Sequence, residues 1–409
     1  MDAPRGRNHR TSIAPIKATP VPFASLQGTT SENPPFAHLG FGSFQFSWQP
    51  TADGAHSGAA YLDALSAALE RTPGIRDVNL DRDAEFETKE LMPPNSPPSL
   101  RNGELGFPYM GFTRLSFVID ISESVRNRFS PAGERTRKDI GTRLLVEVAQ
   151  GWATAQAAVV PLDAPETFDS PSLGVAIARE FLAEAFPQTG VPGSIYFQLI
   201  GPSPAHVDIS LLKAKPGTER EDLEFWRERY TRPSYGRYIF RYDSEFPSGL
   251  SAASEFFASV DSELDVFYRL VMMQRRLRLD WDEVQDEVAA IKTVHAGTGL
   301  KGIVSRLRSR RAVGDAVVSL ADIELEQISA RQRLTRDAKR NYGPGGTGIL
   351  PELIDGEFDE FQDLPIGQVS TVLRLFEDRG LGDRELLAIA ISSILGGLVG
   401  AAATLLAGG

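Results

Sequence analysis

Arginine and tyrosine residues are concentrated in one short segment, from Trp226 to Tyr242. Guanidinium groups bind phosphate through paired hydrogen bonds, and tyrosine rings can stack on nucleobases. A strand is predicted from Gly236 to Tyr242, and its alternation places Arg237 and Arg241 on one face. The segment therefore predicts a binding site for a nucleotide or a phosphorylated small ligand. The predicted ligand-binding residues are Arg232, Tyr235, Arg237 and Arg241.

The same segment has a second interpretation, which is the commoner one for such strands. Tyr238, Phe240 and Tyr242 alternate with the arginines, so they would face the core while the arginines pair with acids on a neighbouring strand. A helix is expected shortly before this strand, from Glu219 to Tyr230. The sequence leaves both interpretations open.

Acidic residues recur at nearly every second position of a strand predicted from Ile75 to Glu87. Its beginning resembles a calcium-binding loop, but Arg82 stands where an EF-hand needs glycine and Thr88 where it needs glutamate. The pattern is better explained as the solvated face of an edge strand, because charges on an edge also oppose pairing with other strands. Binding of a divalent ion or of a basic partner is the alternative.

The sequence predicts no metal site and no cofactor, and it does not identify a catalytic residue. His206 and Asp208 fall on one strand face, but a third ligand for a metal is not identifiable. The motifs H-E-x-x-H, G-x-S-x-G and G-x-x-x-x-G-K-[ST] are absent, and the chain has no cysteine. A non-enzymatic protein is therefore favoured, and the net charge of −11 argues against double-stranded DNA as a partner.

Residues 386–409 contain no charged residue. A helix from Leu386 to Leu406 would be about 31 Å long, which matches a hydrocarbon core of about 30 Å. Small residues recur at every fourth position, as in helices that pack closely within lipid. These predicted packing residues are Ser392, Gly396, Gly400 and Thr404. The segment predicts a single transmembrane helix and a homo-oligomer; a buried core helix or a disordered Gly/Ala-rich tail are the alternatives.

The charged residues next to this segment are unevenly distributed. Residues 303–342 hold nine basic and five acidic residues, whereas residues 351–385 hold three basic and ten acidic residues. A basic patch is predicted from four arginines, which are Arg306, Arg308, Arg310 and Arg311. The patch could dock the acidic segment or lie on anionic lipid, and both alternatives stay open.

These patterns predict an α+β protein with an N-terminal mixed sheet domain, a long, coiled-coil-like helical hairpin and a single C-terminal transmembrane helix. The change to helical spacing occurs at Ser251 and is interrupted at residues 296–299. The predicted divisions are a disordered arm (1–35), an α+β domain (36–250), the hairpin (251–342), an acidic linker with a short helix (343–385) and the transmembrane helix (386–409).

The expected function is that of a tail-anchored protein of the cell membrane with a cytoplasmic N-terminal region. No secretory signal peptide is visible in the first 20 residues. The cytosolic domain would sense a ligand or a partner, and the membrane helices would oligomerise, as in a membrane-perturbing stress or defence effector. The alternatives are a membrane-tethered enzyme acting on a nucleotide or phosphate ester, and a structural scaffold.

Overall fold

A computed structural model describes most of the chain. The described residues are 34–48, 57–88, 112–129, 139–150, 155–186, 193–199, 207–218, 224–231, 236–297, 299–341, 348–359, 364–378 and residue 392. They form an α+β fold around a mixed sheet of nine strands, as predicted. The strands are β1 Phe36–Trp48, β2 Ile75–Arg82, β3 Phe112–Asp120, β4 Arg143–Gln150, β5 Ala155–Pro161, β6 Ile195–Leu199, β7 Val207–Lys213, β8 Phe225–Thr231 and β9 Gly236–Tyr242.

The strand order is β2-β3-β4-β5-β1-β7-β9-β8, and β6 pairs with the second half of β1. The pairing of β7 with β9 is parallel, whereas the other described pairings are antiparallel. The long central strand β1 is buried along both of its faces. Phe44 and Phe46 face one core, while Leu39 and Phe41 face the other, because successive side chains of a strand point to opposite sides.

The described helices are α1 Gly58–Arg71, α2 Ala84–Glu87, α3 Glu123–Phe129, α4 Ser172–Ala185, α5 Gly249–His295, α6 Gly299–Asn341, α7 Pro351–Asp359 and α8, residues 366–378. Helices α1 and α4 cover one face of the sheet. The first half of α5 and helix α7 cover the other face, with Phe256, Phe257 and Val260 fully buried. Burying one such side chain contributes about 1.5–3 kcal/mol.

Helices α5 and α6 form an antiparallel pair. The Arg269 guanidinium lies 2.8 Å from the Asp337 carboxylate near the sheet, and His295 Nε2 lies 3.3 Å from Ser309 Oγ at the far end. With 47 residues, α5 extends about 70 Å. Beyond Leu270 it leaves the sheet and forms a third core with α6 and α8, which includes Trp281 from α5. We call residues 288–314, where α5 ends and α6 begins, the hairpin tip.

Two predicted elements differ from the observed ones. The helix expected from Glu219 to Tyr230 is wrong, because residues 225–231 form strand β8 and pair with β9. The strand expected from Ile75 to Glu87 ends at Arg82, and Asp83 caps the short helix α2 by accepting a hydrogen bond of 2.8 Å from the Glu85 amide. The acidic positions that remain in β2 lie on an edge strand, as predicted.

Within the described residues, no helix combines the length and hydropathy needed to span a membrane. The predicted transmembrane segment lies outside these residues except for Ser392, which is exposed. Gly396, Gly400 and Thr404 are among the residues that are not described.

Candidate functional site

Strand β9 carries the part of the arginine–tyrosine segment that the structure describes. Tyr238, Phe240 and Tyr242 are buried, and Arg237 and Arg241 occupy the opposite face, so the predicted alternation is confirmed. The predicted residues Arg232 and Tyr235 lie outside the described part of the chain.

The tyrosines of this strand are part of the core. The ring of Tyr238 stacks on Tyr230 with centroids 4.3 Å apart, and its hydroxyl lies 3.2 Å from the Glu352 carboxylate on α7. Burial raises the pKa of Tyr238, and the nearby Glu352 charge acts in the same direction. Tyr238 is 1% exposed and Tyr242 is fully buried. These two rings therefore serve packing, and stacking on a nucleobase is excluded for them in this conformation.

Arg241 is held by an acid on the neighbouring strand. Its Nε lies 2.8 Å from the Glu228 carboxylate on β8, and another guanidinium nitrogen donates to the Lys213 carbonyl. This is the pairing that the second interpretation of the segment anticipates. An ion pair of this exposure contributes little stability, up to about 1 kcal/mol.

Arg237 has different surroundings. In the part of the chain that the structure describes, the one hydrogen bond of its guanidinium group is a long one of 3.5 Å to Ser210 Oγ on β7. Its Nε is buried and has no hydrogen-bond partner there. Asp208 lies opposite Arg237 in the parallel register, but its Oδ1 accepts a hydrogen bond of 2.7 Å from the Ser172 amide at the start of α4. Arg237 therefore carries a partly buried charge without a direct carboxylate partner among the described residues.

A buried histidine completes this cluster. His38 Nδ1 lies 3.1 Å from Ser210 Oγ, and His38 Nε2 lies 3.2 Å from the Pro165 carbonyl oxygen. Since a carbonyl only accepts, Nε2 carries the proton, and the Ser210 hydroxyl donates to Nδ1. Burial, together with the charge of Arg237, lowers the pKa of His38 to about 4, so the imidazole is neutral at pH 7.

The loop before α4 closes over His38. A Cβ atom at Gly40 would lie 2.6 Å from the Pro171 carbonyl oxygen, so only glycine allows this close approach. The Phe168 ring packs against His38 at 5.6 Å. Ser210 and His38 are 2% and 1% exposed. A hydroxyl beside a neutral imidazole is the arrangement of an activated nucleophile, but this burial favours a structural hydrogen bond that holds the Arg237 surroundings in place.

The predicted basic patch is divided by the structure. Arg306 is buried, and one of its guanidinium nitrogens donates a hydrogen bond of 2.6 Å to the Gly297 carbonyl in the turn between α5 and α6. It therefore closes the turn and does not belong to the surface. Arg308, Arg310 and Arg311 are exposed on the first turns of α6.

The acidic segment and the hairpin tip have different neighbours. Glu352 on α7 lies 2.5 Å from the Arg227 guanidinium, at the sheet end of the hairpin. Helix α8 then packs along the hairpin through Leu373, which is fully buried. Its last turn reaches the tip, where the Phe376 and His295 rings lie 4.7 Å apart. The chain that leads to the apolar segment 386–409 therefore leaves the described fold at the hairpin tip.

Sequence reasoning missed a buried polar network between the sheet and α5. Glu147 on β4 is 2% exposed and accepts a hydrogen bond of 3.2 Å from Ser254 on α5, which in turn accepts one of 2.8 Å from Arg114. Burial raises the pKa of Glu147, although Arg114 and Ser254 act against this. The sequence signal for this network is Glu147 itself, a single acidic residue among the apolar residues of β4. A second buried acid, Glu263 on α5, accepts hydrogen bonds from the backbone amides of Ile349 and Leu350. These bonds hold the residues that directly precede α7 against α5.

Comparisons with protein-family models, with curated proteins and with solved structures found no match to this chain. Two features therefore carry the functional proposals. One is Arg237, whose charge lacks a carboxylate partner in the described residues. The other is the basic hairpin tip, beside which α8 ends.

Proposed function

We propose that the protein is anchored in the cell membrane by a helix formed by residues 386–409, with the hairpin tip next to the bilayer and the sheet domain on the cytosolic side. The observation that carries this proposal is the course of α8, which ends beside His295 at the tip. Leu386 follows Asp378 by eight residues, so the apolar segment begins within about 28 Å of the end of α8.

The apolar segment supports anchoring through its length and association through its small residues. A helix from Leu386 to Leu406 matches the bilayer, but its glycines make insertion only moderately favourable. Close packing of copies through the stripe of Ser392, Gly396, Gly400 and Thr404 would add to its stability. We therefore include a homo-oligomer in the proposal.

An exposed apolar stripe on α6 also supports association of parallel copies. Val318 and Leu325 are 60% and 66% exposed. They lie seven residues apart, as two a positions of a coiled coil do, and the exposed Ile328 follows Leu325 by three residues, as a d position follows an a position. Copies held side by side by their membrane helices would bring these stripes into register.

The sheet domain is the proposed sensing part. It packs on the part of α5 that precedes Leu270, and Leu270 is about 38 Å along α5 from His295 at the tip. Arg237 is its proposed ligand contact, and the ligand class that suits a lone guanidinium beside a hydroxyl is a phosphate group. The alternative of an enzyme acting on a nucleotide or phosphate ester would use the Ser210–His38 pair, whose burial favours binding over catalysis. A scaffold without a ligand remains the third alternative.

Membrane anchoring can be tested in the full chain by placing a charge in the apolar segment. Ile394→Arg should release the protein from alkali-washed membranes, because a charged side chain at the bilayer centre costs about 3 kcal/mol on the insertion scale and this helix has little to spare. Ile394→Leu is the matched control and should stay in the membrane fraction. Recovery of the unmodified protein in the soluble fraction without detergent would overturn the proposal.

A further inference from the structure

We propose that the hairpin tip is a binding surface for the anionic headgroups of the membrane, an inference that rests on the proposed anchoring. The tip, residues 288–314, contains six basic residues and no acidic residue, although the whole chain has a net charge of −11. These basic residues are Lys292, Lys301, Arg306, Arg308, Arg310 and Arg311.

Five of the six charges are directed to solvent. Arg306 alone is buried, since it is bound to the Gly297 carbonyl. Within the described residues, Arg308 and Arg310 contact no carboxylate, and Arg311 approaches Asp315 only at 3.9 Å with its side chain 93% exposed. Exposed pairs of this kind contribute little, so the five charges are available to a partner.

One face of α6 combines these charges with an apolar side chain. Lys301, Arg308 and Arg311 follow each other at helical spacing, and Val304, which is 40% exposed, lies among them. Leu375 on the neighbouring end of α8 is 62% exposed. Basic residues around exposed apolar ones are the composition of a surface that lies on headgroups and inserts shallowly between them.

The position of the tip selects the membrane as the partner. Glu352 of α7 is paired with Arg227 at the other end of the hairpin. The exposed acids Glu377 and Asp378 at the end of α8 are fewer than the five exposed basic residues of the tip, so the surface stays basic. The apolar segment starts within about 28 Å of the end of α8, so an anchored chain would hold the tip close to the lipid surface. Basic residues close to a membrane helix favour the cytosolic side and are attracted to anionic lipid by about 1 kcal/mol each.

The test uses the full chain and the fact that it has no cysteine. A single cysteine at exposed Ser305 on the tip, or at exposed Ser259 on α5 beside the sheet, carries an environment-sensitive fluorophore. The protein is reconstituted into vesicles of phosphatidylcholine, with or without 30% phosphatidylserine, that contain a lipid-bound quencher. We expect strong quenching of the Ser305→Cys label in anionic vesicles, weaker quenching in neutral ones, and little quenching of the Ser259→Cys label in either.

The charge dependence is tested in the Ser305→Cys background. Arg308→Gln, Arg310→Gln and Arg311→Gln together should shift the equilibrium away from the surface-bound tip by about 100-fold at low salt, given about fivefold per charge. Arg333→Gln, Arg336→Gln and Lys339→Gln remove the same charge at the opposite end of α6 and should leave quenching unchanged.

The outcomes separate the two proposals. Failure of the chain to float with neutral vesicles would overturn anchoring by residues 386–409. Flotation with equal quenching in both lipid compositions, or quenching that survives the loss of the three tip arginines, would leave anchoring intact and overturn headgroup binding. Binding of RNA with no lipid-dependent quenching would likewise overturn it.

Discussion

The rings of Phe376 and His295 lie 4.7 Å apart, which joins the last turn of α8 to the last turn of α5. These residues are far apart in sequence, and their contact places the end of α8 beside the hairpin tip. Leu373, one turn earlier, is fully buried in the core that α5, α6 and α8 share. The contact therefore links the helical hairpin to the proposed membrane anchor.

Docking of α8 should depend on Leu373. Leu373→Ala leaves a cavity in the hairpin core and should lower the local free energy of opening of α8 by about 3 kcal/mol, as measured by hydrogen exchange of its amides. Leu375→Ala, two residues away on the exposed side of α8, should change it by less than about 0.5 kcal/mol. Equal effects of the two substitutions would show that α8 does not pack on the hairpin.

Acid should destabilise the sheet domain through His38. Its pKa in the folded protein is about 4, below the ordinary value of 6.5, so the unfolded chain takes up the proton first as the pH falls. This contribution to stability is present above about pH 6.5 and is lost as the pH falls toward 4, and its size is about 3 kcal/mol. The measurement is the unfolding free energy against pH for the wild type and for His38→Gln.

The difference between these two proteins isolates His38, because the acids with raised pKa values, among them buried Glu147 and partly buried Asp208, titrate in both. As the pH falls from about 6.5 toward 4, the unfolding free energy of the wild type should decrease more than that of His38→Gln. A His38 resonance that titrates near pH 6.5 in the folded protein would contradict the assignment.

The proposed phosphate contact predicts different roles for two arginines on the same strand face. Inorganic pyrophosphate should raise the melting temperature of the wild type, and Arg237→Met should weaken binding about tenfold or more, because a charged hydrogen bond is lost. Arg241→Met is the control, since Glu228 already occupies that guanidinium. A melting temperature that does not respond to pyrophosphate, or responds equally in both variants, would contradict ligand binding at Arg237.

Association through the membrane helix should depend on the small residues at every fourth position. Gly400→Ile would separate two closely packed helices and should shift the protein in detergent from oligomer to monomer, which sedimentation or mass photometry would detect. Ala402→Ile adds a bulky side chain on the opposite face of this helix and should leave the oligomer intact. A wild-type protein that is monomeric in detergent would contradict the proposed homo-oligomer.

Particular residues show which parts of this structure the sequence could predict. The faces of β9 followed from strict alternation, and α5 followed from its long apolar stripe, since both are local patterns. The sequence predicts a helix where strand β8 forms, because the charged residues of this segment fit both the helical and the strand repeat. Only the pairing with β9 decides between the two structures.

The surroundings of the candidate site required tertiary information. His38 and Ser210 are 172 residues apart in the chain, and the pairing of β1 with β7 brings them together. Arg306 looked like its three neighbours, but a carbonyl in the turn binds it. The partner of His38 is a side chain on another strand, and the partner of Arg306 is a backbone carbonyl in the turn. A local sequence pattern identifies neither of them.

The central claim is that residues 386–409 cross the bilayer beside the hairpin tip, and the accessibility of single cysteines tests it most directly. Ser393→Cys would lie within the hydrocarbon core and Ser305→Cys on the tip, in a chain that has no other cysteine. In intact vesicles we predict that a membrane-impermeant maleimide labels Ser305→Cys rapidly and leaves Ser393→Cys unlabelled until detergent is added. Equal labelling of both positions in intact vesicles would contradict the claim.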